Sequence, residues 1–496
     1  LADGSLMSEK KSRLTSWLET SPSWIFVPIA SLAGFSTYFC MYAFRKPFTA
    51  ATFEGMHFLG TGVELKTALV ISQILGYTLS KYVGIKVCSE ARPERRRAML
   101  AFLIAWAELA LLLFAVLPPS GQVAAIFLNG FPLGMVWGLV VWHLEGRRTS
   151  EILLAALSCS FIVSSGAVKD VGRWLMESWQ VPEAWMPAAT GACFLPLFLL
   201  SVWMLSQLPK PNTTDVAERS QRQPMNAALR WSFLRQFLLG MTLLCVVYFF
   251  LTAYRDYRDN FQREIFDALG YGTIPAAFSM TELPIGFVVM LVMVALNCIR
   301  DNRHGLVAVF IVMIAGMVLL GASTLAFDRH WIPGVAWMLL VGLGAYLAYV
   351  PFNSLLFDRL LAATRHAGTA VFAIYVADAT GYTGAIVLQL YKDFSHASMG
   401  RFEFFHNYTY FMSAAGALML AVAGGYFFMK RSPTADAATQ LPVLSSEEIA
   451  VELQMVAKAW NVRAHRRMHE LSCHTNSAAR YTNDTTHPTK EITTVP

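Results

Sequence analysis

Apolar residues run for roughly twenty positions at a time along this chain, and short polar or charged stretches separate the runs. By this pattern roughly twelve runs occur, near 24–44, 65–88, 98–117, 122–144, 151–168, 185–208, 234–254, 273–299, 305–326, 332–357, 366–391 and 405–430. A helix rises 1.5 Å per residue, so about twenty apolar residues cross a hydrocarbon core of about 30 Å. The pattern therefore predicts an all-α membrane protein of twelve transmembrane helices. The longest interruption, 209–233, opens Pro209-Lys210-Pro211-Asn212-Thr213-Thr214-Asp215 and has the composition of a linker. It divides the chain into an N-terminal segment 1–23, a six-helix bundle 24–208, a second bundle 234–430 and a tail 431–496.

Composition agrees with the pattern. The 496 residues are 55% hydrophobic and 15% charged, where a soluble chain carries about 25% charge. The net charge of +6 would suggest nucleic acid in a soluble protein, but here the cations sort by loop. Lys10, Lys11 and Arg13 precede the first run, and Arg92, Arg95, Arg96 and Arg97 follow the second. Arg147 and Arg148, Lys210 with Arg219, Arg222 and Arg230, Arg300 with Arg303, Arg359 with Arg365, and Lys430 with Arg431 follow the even-numbered runs after that. The positive-inside rule then puts both termini in the cytoplasm, and the expected location is the bacterial inner membrane. The basic N-terminus before an apolar run resembles a signal peptide, but the run is long, lacks a small-residue cleavage site and reads as an uncleaved first helix. The seven cysteines show no zinc or disulfide spacing and read as small buried hydrophobes.

Two arginines stand at matching places in the two halves. The first run ends Tyr42-Ala43-Phe44-Arg45-Lys46-Pro47-Phe48, and the seventh ends Tyr254-Arg255-Asp256-Tyr257-Arg258-Asp259-Asn260-Phe261. A guanidinium in a membrane is costly, which makes each a candidate functional group. Repeat-related helices could bring both to one anion near a central axis. Arg45 continues a Tyr38–Tyr42 face, and its planar fork suits phosphate or carboxylate better than the neighbouring Lys46. Arg258 has the competing reading of a self-paired, exposed helix end.

Other charges fall inside runs. Lys81 has two readings, a second cation on the substrate path or a lysine reaching toward the membrane boundary, with Tyr77 one turn before it. Asp378, in Tyr375-Val376-Ala377-Asp378-Ala379-Thr380-Gly381-Tyr382, reads as an ion-pair partner or a proton relay. Glu282 and Glu108 are further mid-run carboxylates of lower rank. Lys169, Asp170 and Arg173 close the fifth run at its outer side and have two readings, a gate to the cavity or solvated charges, of which solvation is favoured. After Arg431 the stretch 444–471 has helical spacing of Ile449, Leu453, Val456 and Trp460, ahead of a disordered end. No phosphate-binding glycine loop, metal spacing or nucleophile motif occurs, so an enzyme is not expected and no cofactor is implied.

The chain resembles the major facilitator superfamily, and within it the organophosphate:phosphate antiporters. Three stretches carry the likeness: Tyr42 to Phe48, Gly76-Tyr77-Thr78-Leu79-Ser80-Lys81-Tyr82 with its basic loop, and Gly368-Thr369-Ala370 with Gly381-Tyr382-Thr383-Gly384. The resemblance implies two pseudo-symmetric six-helix bundles. It also implies that Arg45 and Arg255 bind a substrate phosphate, a one-turn shift selecting Arg258, with Lys81 as the lysine of the second span. The family's histidine in the fifth span has no counterpart in Leu157-Ser158-Cys159-Ser160-Phe161-Ile162-Val163-Ser164-Ser165-Gly166.

The expectation is thus a secondary active transporter of a small organic anion, a phosphorylated metabolite among the candidates and phosphate as counter-substrate. Alternating access would run through a monomer in the lipid bilayer, without nucleic acid. The expected site is Arg45, Lys81, Arg255, Tyr42 and Tyr77, with Asp378 for ion pairing or proton coupling and Lys46, Arg258 and Glu282 behind them. The rival expectations are a solute sensor that signals through a partner and a proton-coupled permease of unrelated substrate.

Overall fold

The computed structural model describes residues 12–429 apart from 61, 91, 92, 145, 146, 148, 210–234, 275, 365–369, 396 and 397. The linker, the 431–496 tail, Gly368 and Thr369 lie outside the described residues.

A short helix α1 (Arg13–Thr20) opens the fold, with the Ser12 hydroxyl accepting the Thr15 N–H at its start. Six long helices follow: α2 (Ser23–Tyr42), α3 (Leu65–Glu90), α4 (Pro93–Val116), α5 (Pro119–Leu144), α6 (Ser150–Ser178) and α7 (Met186–Ser206). The second half holds α8 (Leu238–Asn260), a short α9 (Gln262–Ala268), α10 (Ala277–Asn297), α11 (Asn302–Asp328), α12 (Gly334–Ser354), a short α13 (Leu356–Thr364), α14 (Ala370–Ser395) and α15 (Arg401–Met429). Ten of the long helices are long and apolar enough to cross a membrane. The other two, α3 and α14, carry Lys66 and Lys81, and Asp378, Lys392 and Asp393. The chain is an integral multi-pass membrane protein.

The halves repeat. In the first, α2 packs on α6 and α7, α4 on α5 and α7, and α3 on α5. In the second, α8 packs on α14 and α15, α11 on α12 and α15, and α10 on α12, the same pairs six long helices later. Each half buries its own apolar cluster, the first centred on residues such as Phe44, Phe114 and Val136, the second on Tyr254, Met313 and Trp337. Large apolar side chains such as Leu32, Phe102, Phe287 and Leu418 face outward, where lipid rather than water is the compatible solvent. Small residues let α3 and α5 touch closely: a Cβ on Gly134 would lie 2.6 Å from the Tyr77 carbonyl. Across the halves, α6 meets α10 and α12, and α3 meets α14.

Two boundaries differ from the hydropathy reading. The helix α6 continues ten residues past 168, to Ser178, so Lys169, Asp170 and Arg173 sit within it. The helix α8 runs to Asn260, so Arg255 and Arg258 belong to the helix body. Charged residues end an apolar run in the sequence but not a helix, because Lys169, Asp170, Arg173 and Arg258 find polar partners inside the fold and Arg255 rests on the Tyr349 ring. The cysteine reading holds for Cys40 and Cys159, which are buried, while Cys193 and Cys298 are exposed.

Candidate functional site

Polar groups line the faces along which the two halves meet, at helical spacing. On α6 the stripe is Phe161, Ser165, Lys169 and Arg173; on α8 it is Tyr248, Thr252, Arg255 and Asp259; on α3 it is Gln73, Tyr77 and Lys81. Residues four apart share a helix face, so each stripe points one way.

Arg45 lies just beyond α2, in a turn that Pro47 leads into a 3-10 segment (Pro47–Ala50). The Gln73 side-chain amide donates to the Arg45 carbonyl at 2.9 Å and holds the turn. The guanidinium stacks 4.1 Å from the Tyr77 ring centroid and 5.6 Å from that of Tyr42. It is 6% exposed, its Nε has no hydrogen-bond partner, and among the described residues no carboxylate lies within ion-pair distance of it. Arg255 is its counterpart on α8. It is 8% exposed, stacks 4.6 Å from the Tyr349 ring and also has an unpartnered Nε. Its nearest carboxylate is that of its own neighbour Asp256, at 3.9 Å. Tyr42 lies within electrostatic reach of both arginines. The structure thus brings Arg45, Arg255, Tyr42 and Tyr77 to one region between the halves.

Lys81 joins this region through Tyr77 and Tyr382, whose centroids are 5.4 and 4.7 Å from its ammonium. It is paired to Asp378 at 2.8 Å, which links α3 to α14 across the halves. The Tyr248 hydroxyl donates to the other Asp378 oxygen at 2.9 Å and receives the Asn353 amide at 2.9 Å. Aromatic rings close the walls: Tyr38 packs edge-on to Trp137, Phe161 reaches Tyr346 and Tyr349, and Tyr77 packs against Tyr382.

The remaining sequence candidates are engaged elsewhere. Arg258 pairs with Glu282 at 2.7 Å and donates to the Met338 carbonyl, all inside the second half. The self-paired, exposed reading of Arg258 is corrected: it is buried, because α8 turns that face onto α10 and α12. Lys46 pairs with Asp259 at 2.6 Å and donates to Asn260. Lys169 binds the same carboxylate from α6 at 2.9 Å, and Ser165 donates to it as well. Asp170 accepts the Ser279 N–H at 2.7 Å, so it neutralises the start of α10. Arg173 donates to the Gly272 and Ile274 carbonyls. The solvated reading of Lys169 and Arg173 therefore fails: both are buried against the other half. With Lys66–Glu264 at 2.5 Å and Arg401–Glu64 at 2.5 Å, these contacts form a closed seam at the end of the interface that holds 47–64 and 261–274. Glu108 stays apart from the site, partly exposed between α4 and α7. Among the described residues no cluster of three or more His, Cys, Asp or Glu could hold a metal ion.

The sequence reading missed Gln73, Trp137, Phe161, Tyr346 and Tyr349 as wall residues. The available signal was the Tyr346–Tyr349–Asn353 stripe, polar groups at helical spacing in an otherwise apolar run.

A sequence family described as a family of unknown function, DUF5690, matches residues 47–431. The chain belongs to the DUF5690 family. No curated protein matches it by sequence. Solved structures similar to this DUF5690 chain include that titled D-xylose-proton symporter, at 14% identity and TM-score 0.52, covering 82% of this chain and 98% of the other. A nucleoside transporter, NupG, is similar at 14% identity and TM-score 0.52, covering 82% and 99%. The xylose transporter XylE from E. coli, in a partially occluded inward open conformation, is similar at 12% identity and TM-score 0.52, covering 82% and 98%. The fold is that of the major facilitator superfamily, two pseudo-symmetric helical bundles.

Proposed function

We propose that this DUF5690 chain is a secondary active transporter of a small organic anion, working by alternating access, with phosphorylated metabolites among its candidate substrates. One observation carries the reading: two buried arginines, one just beyond α2 and the other on the repeat-related α8, share one region and neither has a hydrogen-bonded carboxylate. Burying a cation with no close counter-charge is unfavourable, and Arg45 has none among the described residues while Arg255 has only Asp256 at 3.9 Å, so the arrangement favours an anionic guest that supplies one. Tyrosine hydroxyls around the two guanidinium groups offer further donors to such a guest. Similar solved structures titled as sugar and nucleoside transporters support transport as the activity.

The membrane orientation follows from charge. Arg95, Arg97, Arg147, Arg300, Arg303 and Arg359 lie at the end opposite the seam, and the positive-inside rule makes that end cytoplasmic. The seam then closes the outer side.

Purified protein should gain thermal stability from inorganic phosphate, a phosphate ester or a small carboxylate, and the gain should vanish in Arg45→Ala and in Arg255→Ala. Liposomes containing the protein should exchange the same anion. Stabilisation that persists in both variants would remove the arginines from the site.

A second reading draws on Asp378, a carboxylate in the central region. Uptake driven by a proton gradient and lost in Asp378→Asn would make the chain a proton-coupled permease.

A further inference from the structure

The two arginines are joined by an unbroken path of contacts. Arg45 stacks on Tyr77, Tyr77 faces Lys81, Lys81 pairs with Asp378, Asp378 accepts from Tyr248, Tyr248 stacks on Tyr349 at 5.3 Å, and Tyr349 carries Arg255. One ring separates Arg45 from Lys81, and two separate Asp378 from Arg255. Asp378 is the carboxylate on this path, and it holds Lys81, the cation that shares the Tyr77 ring with Arg45.

The Lys81–Asp378 pair also differs from the pairs that Asp259 makes between the halves. Its side chains are 22% and 15% exposed, whereas Lys169 and Asp259 are 1% and 5% exposed. A lysine ammonium has three donors on a flexible stem, and only Asp378 receives a hydrogen bond from Lys81 among the described residues. The ammonium otherwise rests against the Tyr77 and Tyr382 rings, so Asp378 is the one charged group it is hydrogen-bonded to among the described residues. An anion lying against Arg45 and Tyr77 would therefore approach Lys81 from the side that Asp378 does not occupy.

We infer that Asp378 is a built-in competitor of the transported anion for Lys81. In the absence of solute it neutralises the lysine and ties α3 to α14; an anion at the arginines draws Lys81 away and loosens that tie. Lys81 is then a conditional ligand and Asp378 sets its availability, a specificity-determining role that favours anions able to reach three cations. The inference rests on the proposed anion site.

The sign of one substitution separates this from a purely structural pair. With inorganic phosphate and succinate as probes at constant ionic strength, Asp378→Asn should bind at least one of them about tenfold more tightly than the unaltered chain, the scale of one charged hydrogen bond. Lys81→Gln should bind it more weakly, and Lys81→Gln combined with Asp378→Asn should behave as Lys81→Gln alone. That last equality excludes a general effect of the added positive charge. Unchanged or weaker binding in Asp378→Asn overturns the inference while leaving the arginine site standing. Failure of every variant and of the unaltered chain to bind either anion defeats the arginine site and the inference with it. If Asp378→Asn does not fold, Tyr248→Phe removes a donor from Asp378 without changing charge, so Asp378 should hold Lys81 more firmly and anion binding should weaken about two- to threefold; no change or tighter binding there counts against the inference.

Discussion

The interface between the halves is charged at its seam and at its centre, but the two regions hold their charges differently. At the seam, Asp259 is shared by Lys46 and Lys169 and receives Ser165, so one carboxylate meets three donors from the other half in a fully buried setting. At the centre, Lys81 and Asp378 form a single, partly exposed pair, and Arg45 and Arg255 rest on tyrosine rings. Fully satisfied buried charges are costly to separate, whereas a sparse, partly hydrated pair can change partners. On the proposed function, the seam would serve closure and the centre would hold the solute.

The sharpest way to break this comparison is Asp259→Asn. It leaves two buried lysines facing one neutral amide, and breaking such a pair costs about 3–5 kcal/mol. The melting temperature should drop well below that of any central variant, and adding Lys169→Met should recover part of the loss. A melting temperature equal to that of the unaltered chain would mean that the seam does not hold the outer end.

Arg258 provides the next test, because it pairs within one half and not across the two. Arg258→Ala strands Glu282 in the core and should also cost about 3–5 kcal/mol, measured by thermal unfolding. Arg45→Ala removes a cation that has no carboxylate partner, so it should leave the melting temperature nearly unchanged while abolishing stabilisation by anions. If the two arginine variants behaved alike, the division between pairing and binding cations would be wrong.

Much of this was legible in the sequence. Apolar length marked the long helices, and the cost of charge in lipid marked Arg45, Lys81, Arg255 and Asp378. What the sequence left open was partnership. Lys169 and Arg173 follow an apolar run, as solvated helix ends do, and nothing along the chain says that the opposing surface is another bundle. Likewise Arg255 and Arg258 are one turn apart and chemically identical; only the rotation of α8 turns one toward Tyr349 and the other toward Glu282. Hydropathy reports which segments avoid water, and it carries no information on the register between segments distant in sequence.

The central pair should be the more forgiving one. Lys81→Gln removes a partly exposed pair, for which losses of about 1 kcal/mol or less are usual. Its thermal stability without anion should fall far less than that of Asp259→Asn. A loss equal to that at the seam would show that the centre is locked as firmly as the outer end, and exchange of Lys81 between partners would then be excluded.

The smallest effect sharpens the comparison at the edge of the seam. Glu64 precedes α3, is partly exposed and meets Arg401 at 2.5 Å. Burial works to raise its pKa, but the Arg401 guanidinium outweighs burial and holds the carboxyl below its ordinary value. A depressed folded pKa gives stability that is present above the unfolded value of about 4.3 and is lost as pH falls through the folded value. Glu64→Gln should therefore lower the melting temperature slightly at pH 7, and the gap from the unaltered chain should shrink as the buffer is taken below about pH 4. A Glu64→Gln gap that widened on acidification would reverse the sign of the Arg401 interaction and remove Glu64 from the seam.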